Sequence, residues 1–195
     1  MKPEIEAVFL DVDKEALREK LEKLGAKLIA KERKMKRVVF DQGEHAFARV
    51  RDEGDKIVAT YKRFDDHSIT GAKEVNVVVD DYERMITFLK ECGLRAKKYE
   101  ESLRESWKLD EVEVDIDTWP WLPTYVEVEG PTVEETVAVS EKLGFEMKEA
   151  IYGAVDDIYE KYYDGVTAKE VRRWPKIVFE ERPEGLKGKK MRKRE

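Results

Sequence analysis

Cysteine and histidine are nearly missing from this chain, with one cysteine and two histidines in 195 residues. A single cysteine excludes an internal disulfide framework and fits a reducing compartment. His45 and His67 lie far apart, with no cysteine or histidine at metal-ligand spacing, so a zinc site is not expected. No apolar run approaches the ~18 residues of a membrane span, and no secretory leader is evident. The expectation is a cytoplasmic protein with no membrane partner. Also lacking are the glycines and lysine of a phosphate-binding loop, since "EGPTVEET" has neither, and any Ser-His-Asp or Cys-His arrangement.

Charge is what the chain has in excess. Charged residues make up 42% of it and hydrophobic residues 41%, so a core can form but many charges must be accommodated. The net charge of −6 is unevenly spread. From Arg182 to Glu195 seven Lys or Arg face two Glu, a net +5 that leaves −11 on the rest. Such a run reads as a solvated, flexible end, with a phosphate or nucleic-acid contact as the alternative.

Periodicity alternates between helix and strand. "DKEALREKLEKLGAK" places Leu17, Leu21 and Leu24 on one helical face, with Asp13 as N-cap and Gly25 as the stop. In "DDYERMITFLKECGL" the residues expected to face inward are Met85, Phe88, Leu89 and Cys92, the cysteine as a small buried filler. "GPTVEETVAVSEKLGF" carries a Thr132–Glu135 capping box and ends at Gly144. "AVDDIYEKYYDG" reads as a further helix, and "TWPWLP" as a rigid loop with Trp119 and Trp121 packed on the rim of the sheet. Between the helices the period falls to two: "PEIEAVFLD", "RVVFD", a long hairpin "AFARVRDEGDKIVATYKRF" turning near Gly54, "AKEVNVVVD", "LRAKKYEESLRESWKL", "VEVDIDTW" and "TYVEVEG". About eight hairpin-linked strands with helices outside predict an α+β fold, an antiparallel eight-stranded closed barrel flanked by helices. It is expected to occupy residues 1–165, with 166–195 as an appendage ending in the basic tail.

Residues two apart on a strand share a face. Strand after strand has one apolar face and one charged face: Glu4 and Glu6; Arg49 and Arg51; Thr60 and Lys62; Glu74 and Asn76; Glu113, Asp115 and Asp117; Glu127 and Glu129. A sheet with one solvated side would account for each strand singly. The segregation into acidic and basic strands, with helices to cover the apolar side, instead turns the charged faces toward one another. An enclosed polar channel is stable only where carboxylates meet cations, metals or an anionic ligand. Clustered carboxylates suit Mg²⁺ or Mn²⁺, and Arg49, Arg51, Lys62 and Arg104 suit phosphate oxygens.

At these residues the chain resembles the CYTH, or triphosphate tunnel metalloenzyme, family, which includes class IV adenylyl cyclases, thiamine triphosphatases and inorganic triphosphatases. The likeness runs from about Pro3 to Tyr163 and rests on "EIEAV", "ARVR", "TYK", "KEVN", "RESWKL", "DTWPWLPTYVEVEG" and "DDIYEKYY". It implies metal-binding carboxylates at Glu4, Glu6, Asp117, Glu127 and Glu129. It implies triphosphate-binding bases at Arg49, Arg51, Lys62 and Arg104, with Glu74 as a further tunnel acid and Lys161 as a base on the last helix. Glu4, Glu6, Lys62 and Arg104 would serve catalysis, with Mg²⁺ or Mn²⁺ as cofactor and ATP, tripolyphosphate or thiamine triphosphate as substrate, either hydrolysed or cyclised to cyclic AMP. Relatives also suggest a homodimer. The chain departs from the family in having Val8 where its signature has lysine, and Ser102 and Leu103 just before Arg104. The second expectation is therefore a nucleotide- or polyphosphate-binding module with weak or no turnover. A nucleic-acid binder using the basic tail ranks third, because no strand face interleaves aromatic and basic residues.

Overall fold

The computed structural model describes residues 1–43 and 45–192; Lys193, Arg194 and Glu195 of the basic tail lie outside the described residues. Its centre is an antiparallel sheet rolled around a cavity. In chain order the first nine strands are β1 (Lys2–Glu4), β2 (Glu6–Phe9), β3 (Lys27–Asp41), β4 (Ala46–Asp52), β5 (Ile57–Phe64), β6 (Ala72–Val79), β7 (Ala96–Leu109), β8 (Val112–Thr118) and β9 (Tyr125–Glu129). Their spatial order is β1-β6-β5-β4-β3-β7-β8-β9-β2. The two ends of that path, β1 and β2, are consecutive in the chain on either side of Ile5.

Closure therefore depends on residues 2–9. The first half of this segment pairs with β6, Lys2 opposite Glu74 and Glu4 opposite Ala72. The second half pairs with β9, Glu6 opposite Glu129 and Val8 opposite Glu127. Counted as one strand, the segment makes the barrel eight-stranded, as expected from the sequence; counted as two, it makes nine nearly closed strands. The expected hairpin joins β4 to β5, with Gly54 at φ +90 in its turn.

Helices cover the outside. α1 (Lys14–Lys23) is capped by Asp13, and α3 (Val133–Lys142) by Thr132. Both lie over one apolar cluster that includes Ala7, Phe9, Leu17, Leu21, Val114, Ile116 and Val139. α2 (Tyr82–Glu91) covers Phe40, Ala48 and Val50 with Tyr82 and Ile86. Two inward assignments need correction. Leu24 is exposed because it is the C-cap of α1, at the point where the helix leaves the sheet. On α2 the buried stripe is Tyr82, Ile86 and the half-buried Met85 and Leu89, so Phe88 is 59% exposed, and Cys92 beyond it is exposed too. One helical stripe of about 100° cannot hold residue 88 together with residues 82, 85, 86 and 89.

A third cluster lies at one end of the barrel. α4 (Val155–Tyr162), α5 (Ala168–Val171) and β10 (Lys176–Ile177), which runs parallel to β7, bring Tyr159, Tyr162, Val171, Trp174 and Ile177 against Val8, Trp119 and Tyr125. Tyr159 donates its hydroxyl hydrogen bond to the Pro120 carbonyl and Tyr163 to that of Trp121, both at 2.5 Å. Trp119 and Trp121 thus hold the β8–β9 loop against the C-terminal region.

A chain ended after Gly165 would lose Val166, Val171, Trp174, Ile177 and Leu186, all buried. At about 1.5–3 kcal/mol for each large apolar side chain, the loss should reach on the order of 5 kcal/mol or more. Chemical denaturation of the shortened chain against the full one measures it, and an unchanged midpoint would show that residues 1–165 are self-sufficient.

Candidate functional site

The inward faces of the strands enclose a cavity of about 450 Å³. Glu4, Glu6, Arg49, Arg51, Lys62, Glu74, Arg104, Glu127 and Glu129 all line it. All of these but Arg104 come from the period-two pairs, and Asn76, Glu113 and Asp115 of the same pairs line it too. Asp117 is fully buried just behind the wall, where it receives two hydrogen bonds from Arg104. Lys161 is not in the cavity. The buried face of α4 is Asp156, Ile158, Tyr159 and Tyr162, and Lys161 projects from the other side, exposed.

Four cations in the cavity were not singled out from sequence: Arg33 and Arg37 on β3, Lys56 in the β4–β5 turn, and Lys98 on β7. For those on strands the signal was present. Arg33, Met35, Arg37 and Val39 alternate along β3 and all line the cavity, as do Lys98, Glu100, Arg104 and Ser106 on β7. The apolar run Val38-Val39-Phe40 hid the alternation of β3, because both of its faces are buried there.

The wall is divided by charge. On the acidic side the Lys62 ammonium stands between Glu4 and Glu6, 2.8 Å from Glu6 Oε1. Burial opposes the charge on Lys62, but Glu6 and Glu4 outweigh it and raise its pKa. Glu4 is pushed up to about 7, first by burial and then by Glu6. Glu129 is pushed up to about 8 by its enclosure and then by Glu4, Glu6, Glu74 and Glu113. These carboxylates crowd one another more than Lys62 alone relieves.

Arg104 links the two sides. Its Nε lies 2.8 Å from Asp117 Oδ1, its Nη1 2.6 Å from Asp115 Oδ2, and its Nη2 2.5 Å from Glu127 Oε2. Such forked, charge-assisted contacts are the strong ones. On the basic side burial, then Arg49 and Arg104, pull Arg37 down to about 10, and burial with Arg49, Arg104 and Arg37 pulls Arg51 down to about 9. Both stay charged at neutral pH. This side of the cavity carries more positive charge than its own carboxylates offset.

The donor chemistry fits a hard divalent cation, because Glu74 Oε2 and Asp115 Oδ1 are buried carboxylate oxygens without a hydrogen-bond partner. Among the described residues no three carboxylates converge as ligands in this conformation. The Lys62 ammonium occupies the cationic place between Glu4 and Glu6.

The raised carboxylates fix a sign for pH dependence. Glu4 and Glu129 start from 4.5 when unfolded, so the folded chain binds protons that the unfolded chain has released. Their contribution to stability is complete below the unfolded value and is lost as pH rises through 7 to 8. The melting temperature of the ligand-free chain should therefore fall between about pH 5 and about pH 8.5, and less steeply in Glu129→Gln. A flat profile in the wild-type chain would contradict the crowding.

No family model matches the chain. A protein of Methanocaldococcus jannaschii named as a putative adenylate cyclase is 29% identical, over 77% of this chain and 90% of the relative. The PH1012 protein of Pyrococcus horikoshii OT3 superposes with a TM-score of 0.66 at 25% identity, over 75% of this chain and 93% of that one. A Vibrio parahaemolyticus structure described as a putative adenylate cyclase gives 0.69 at 11% identity, over 82% and 98%. No described helix is long and apolar enough to cross a membrane. With its strands closed around opposed acidic and basic walls, the chain has the CYTH, or triphosphate tunnel, fold and is similar to proteins named as putative adenylate cyclases.

Proposed function

We propose that this chain is a divalent-metal-dependent enzyme acting on triphosphate substrates inside its barrel, by hydrolysis or by cyclisation of ATP to cyclic AMP. The observation that carries the reading is the cavity of about 450 Å³ with crowded carboxylates on one side and crowded guanidinium groups on the other. A polyphosphate chain with its metal is an anion and a cation in one ligand, and each half relieves one wall. The Methanocaldococcus relative, by its name, supports a nucleoside triphosphate as one substrate.

In this scheme Arg49 and Arg51 grip phosphate oxygens and neutralise the charge that develops on the leaving phosphate. Arg104, fixed by Asp115, Asp117 and Glu127, presents the remainder of its charge to the same anion. Glu4, Glu6, Glu127 and Glu129 are the cavity carboxylates that would hold Mg²⁺ or Mn²⁺, which when bound polarises phosphoryl oxygens, while Asp117, with both oxygens on Arg104 behind the wall, positions that arginine. Glu4, where it is left uncoordinated by the metal, is the carboxylate that would take the proton of the nucleophile. If water attacks the terminal phosphorus, its bond to the bridging oxygen breaks, orthophosphate forms and the diphosphate leaves. If the 3′-hydroxyl of ATP attacks the α-phosphorus, pyrophosphate leaves and cyclic AMP forms.

A second reading, a binding module with little turnover, is favoured by one observation. Lys62, expected to bind the triphosphate and serve catalysis, is already engaged by Glu4 and Glu6. The experiment that separates the two incubates the protein with tripolyphosphate, ATP and thiamine triphosphate plus Mg²⁺ or Mn²⁺, and measures phosphate and cyclic AMP. Turnover is expected, and Glu4→Gln should lower it by roughly 10²- to 10⁴-fold, as should Glu127→Gln. Metal-dependent thermal stabilisation by the same ligands without turnover would establish the binding module.

A further inference from the structure

Eight cationic side chains line the cavity, and most of them already contact a carboxylate, Arg33, Arg51 and Lys56 sharing Glu53. Arg33, Arg51, Lys56, Lys62, Lys98 and Arg104 each have a carboxylate oxygen within 4.0 Å. Among the described residues Arg37 and Arg49 have none. Arg49 was expected as a phosphate ligand; Arg37 was not, and its surroundings are the more unusual.

Arg37 is only 4% exposed. Its guanidinium lies over the Trp119 ring, 4.5 Å from the centroid, and one of its nitrogens donates to Ser102. The Nε atom is buried without a hydrogen-bond partner, as is the Nε of Arg49. In the β3–β4 ladder Arg37 stands opposite Arg51 and Val39 opposite Arg49, so Arg37 and Arg49 are diagonal neighbours on the inward face. Glu100, opposite Arg37 in the β3–β7 ladder, is engaged by Lys98 instead, and a buried cation with no carboxylate in contact is costly. Stacking on an indole recovers part of the cost and orients the fork, but it does not satisfy the free N–H groups.

We propose that Arg37 is a substrate-binding residue, closing with Arg49 as a two-guanidinium clamp on one phosphoryl group of the triphosphate and supplying the positive charge that Val8 does not. This rests on the triphosphate reading of the cavity. Ser102 and Trp119 hold the guanidinium plane in place, so the fork meets phosphate oxygens with little ordering left to do. A purely structural Arg37, filling the space between Trp119 and Ser102, predicts the opposite stability effect. Removing a structural contact lowers the stability of the ligand-free chain, whereas removing an unpaired buried charge leaves it equal or higher.

The test uses the full chain and two substitutions, Arg37→Gln and Arg37→Met, the second keeping an apolar stem against Trp119. Tripolyphosphate with Mg²⁺ is titrated calorimetrically into each, and each is melted without ligand. The expected result is affinity weakened roughly tenfold to hundredfold, with a ligand-free melting temperature equal to or above wild type. Unchanged affinity in both variants, a lowered ligand-free melting temperature in both, or failure of both to fold would overturn the assignment. Absence of binding by the wild-type chain would instead overturn the triphosphate reading, and the clamp with it. Binding by wild type that the variants match overturns the clamp alone.

Discussion

Enclosure of unbalanced charge is the constraint on which the rest depends. A strand sends alternate side chains to opposite faces, and a sheet that closes on itself turns one of those faces into an interior. Here the inward set is mostly Asp, Glu, Lys and Arg, and the outward set mostly Val, Ile, Phe and Ala. Closure runs through residues 2–9, which pair with β6 on one side of Ile5 and with β9 on the other. Glu4 and Glu6 are therefore part of both the seam and the acidic wall. Had the seam opened, both carboxylates would lie in bulk water with nothing to hold.

The walls neutralise one another only in part. Arg104 bonds one or both oxygens of Asp115, Asp117 and Glu127, and the Lys62 ammonium offsets Glu4 and Glu6 in part. What remains is Glu129 among other glutamates on one side, and Arg37 with Arg49 on the other. A protein selected for stability alone would pair these groups or replace them with apolar ones. Leaving unmatched anions and unmatched cations in the same cavity fits a ligand that carries both signs. The paired residues then set the position of the walls, and the unpaired ones are left for the ligand.

Much of this was legible in the sequence because period two is a local property. Arg49 with Arg51, Glu127 with Glu129, and Glu74 with Asn76 each declare a charged face within three residues, and the helices declare their apolar stripes. Residues placed by tertiary contact were not legible. Phe88 and Cys92 lost their expected burial because α2 presents Tyr82 and Ile86 to the sheet. Lys161 turned outward because Tyr159 and Tyr162 fixed the rotation of α4. Arg37 was concealed by Val38, Val39 and Phe40, where β3 is covered on both faces and alternation between charged and apolar residues ceases.

The departure at position 8 has a structural meaning. Val8 points inward, opposite Glu127, yet it is 3% exposed and packs in the cluster formed by Trp119, Tyr125, Ile151 and Tyr159. Its backbone exchanges two hydrogen bonds with Ile151, at 3.2 and 2.9 Å, tying β2 to the segment that leads into α4. An ammonium at this position would enter an apolar contact region, where an uncompensated charge is disfavoured. The apolar closure of this end and a cation at residue 8 are thus alternatives, and the chain has taken the first. Trp119 belongs to that same cluster and also carries the guanidinium of Arg37. The ring that helps exclude charge from β2 therefore supports charge on β3, so that the positive potential of the cavity is kept while one end of it is sealed.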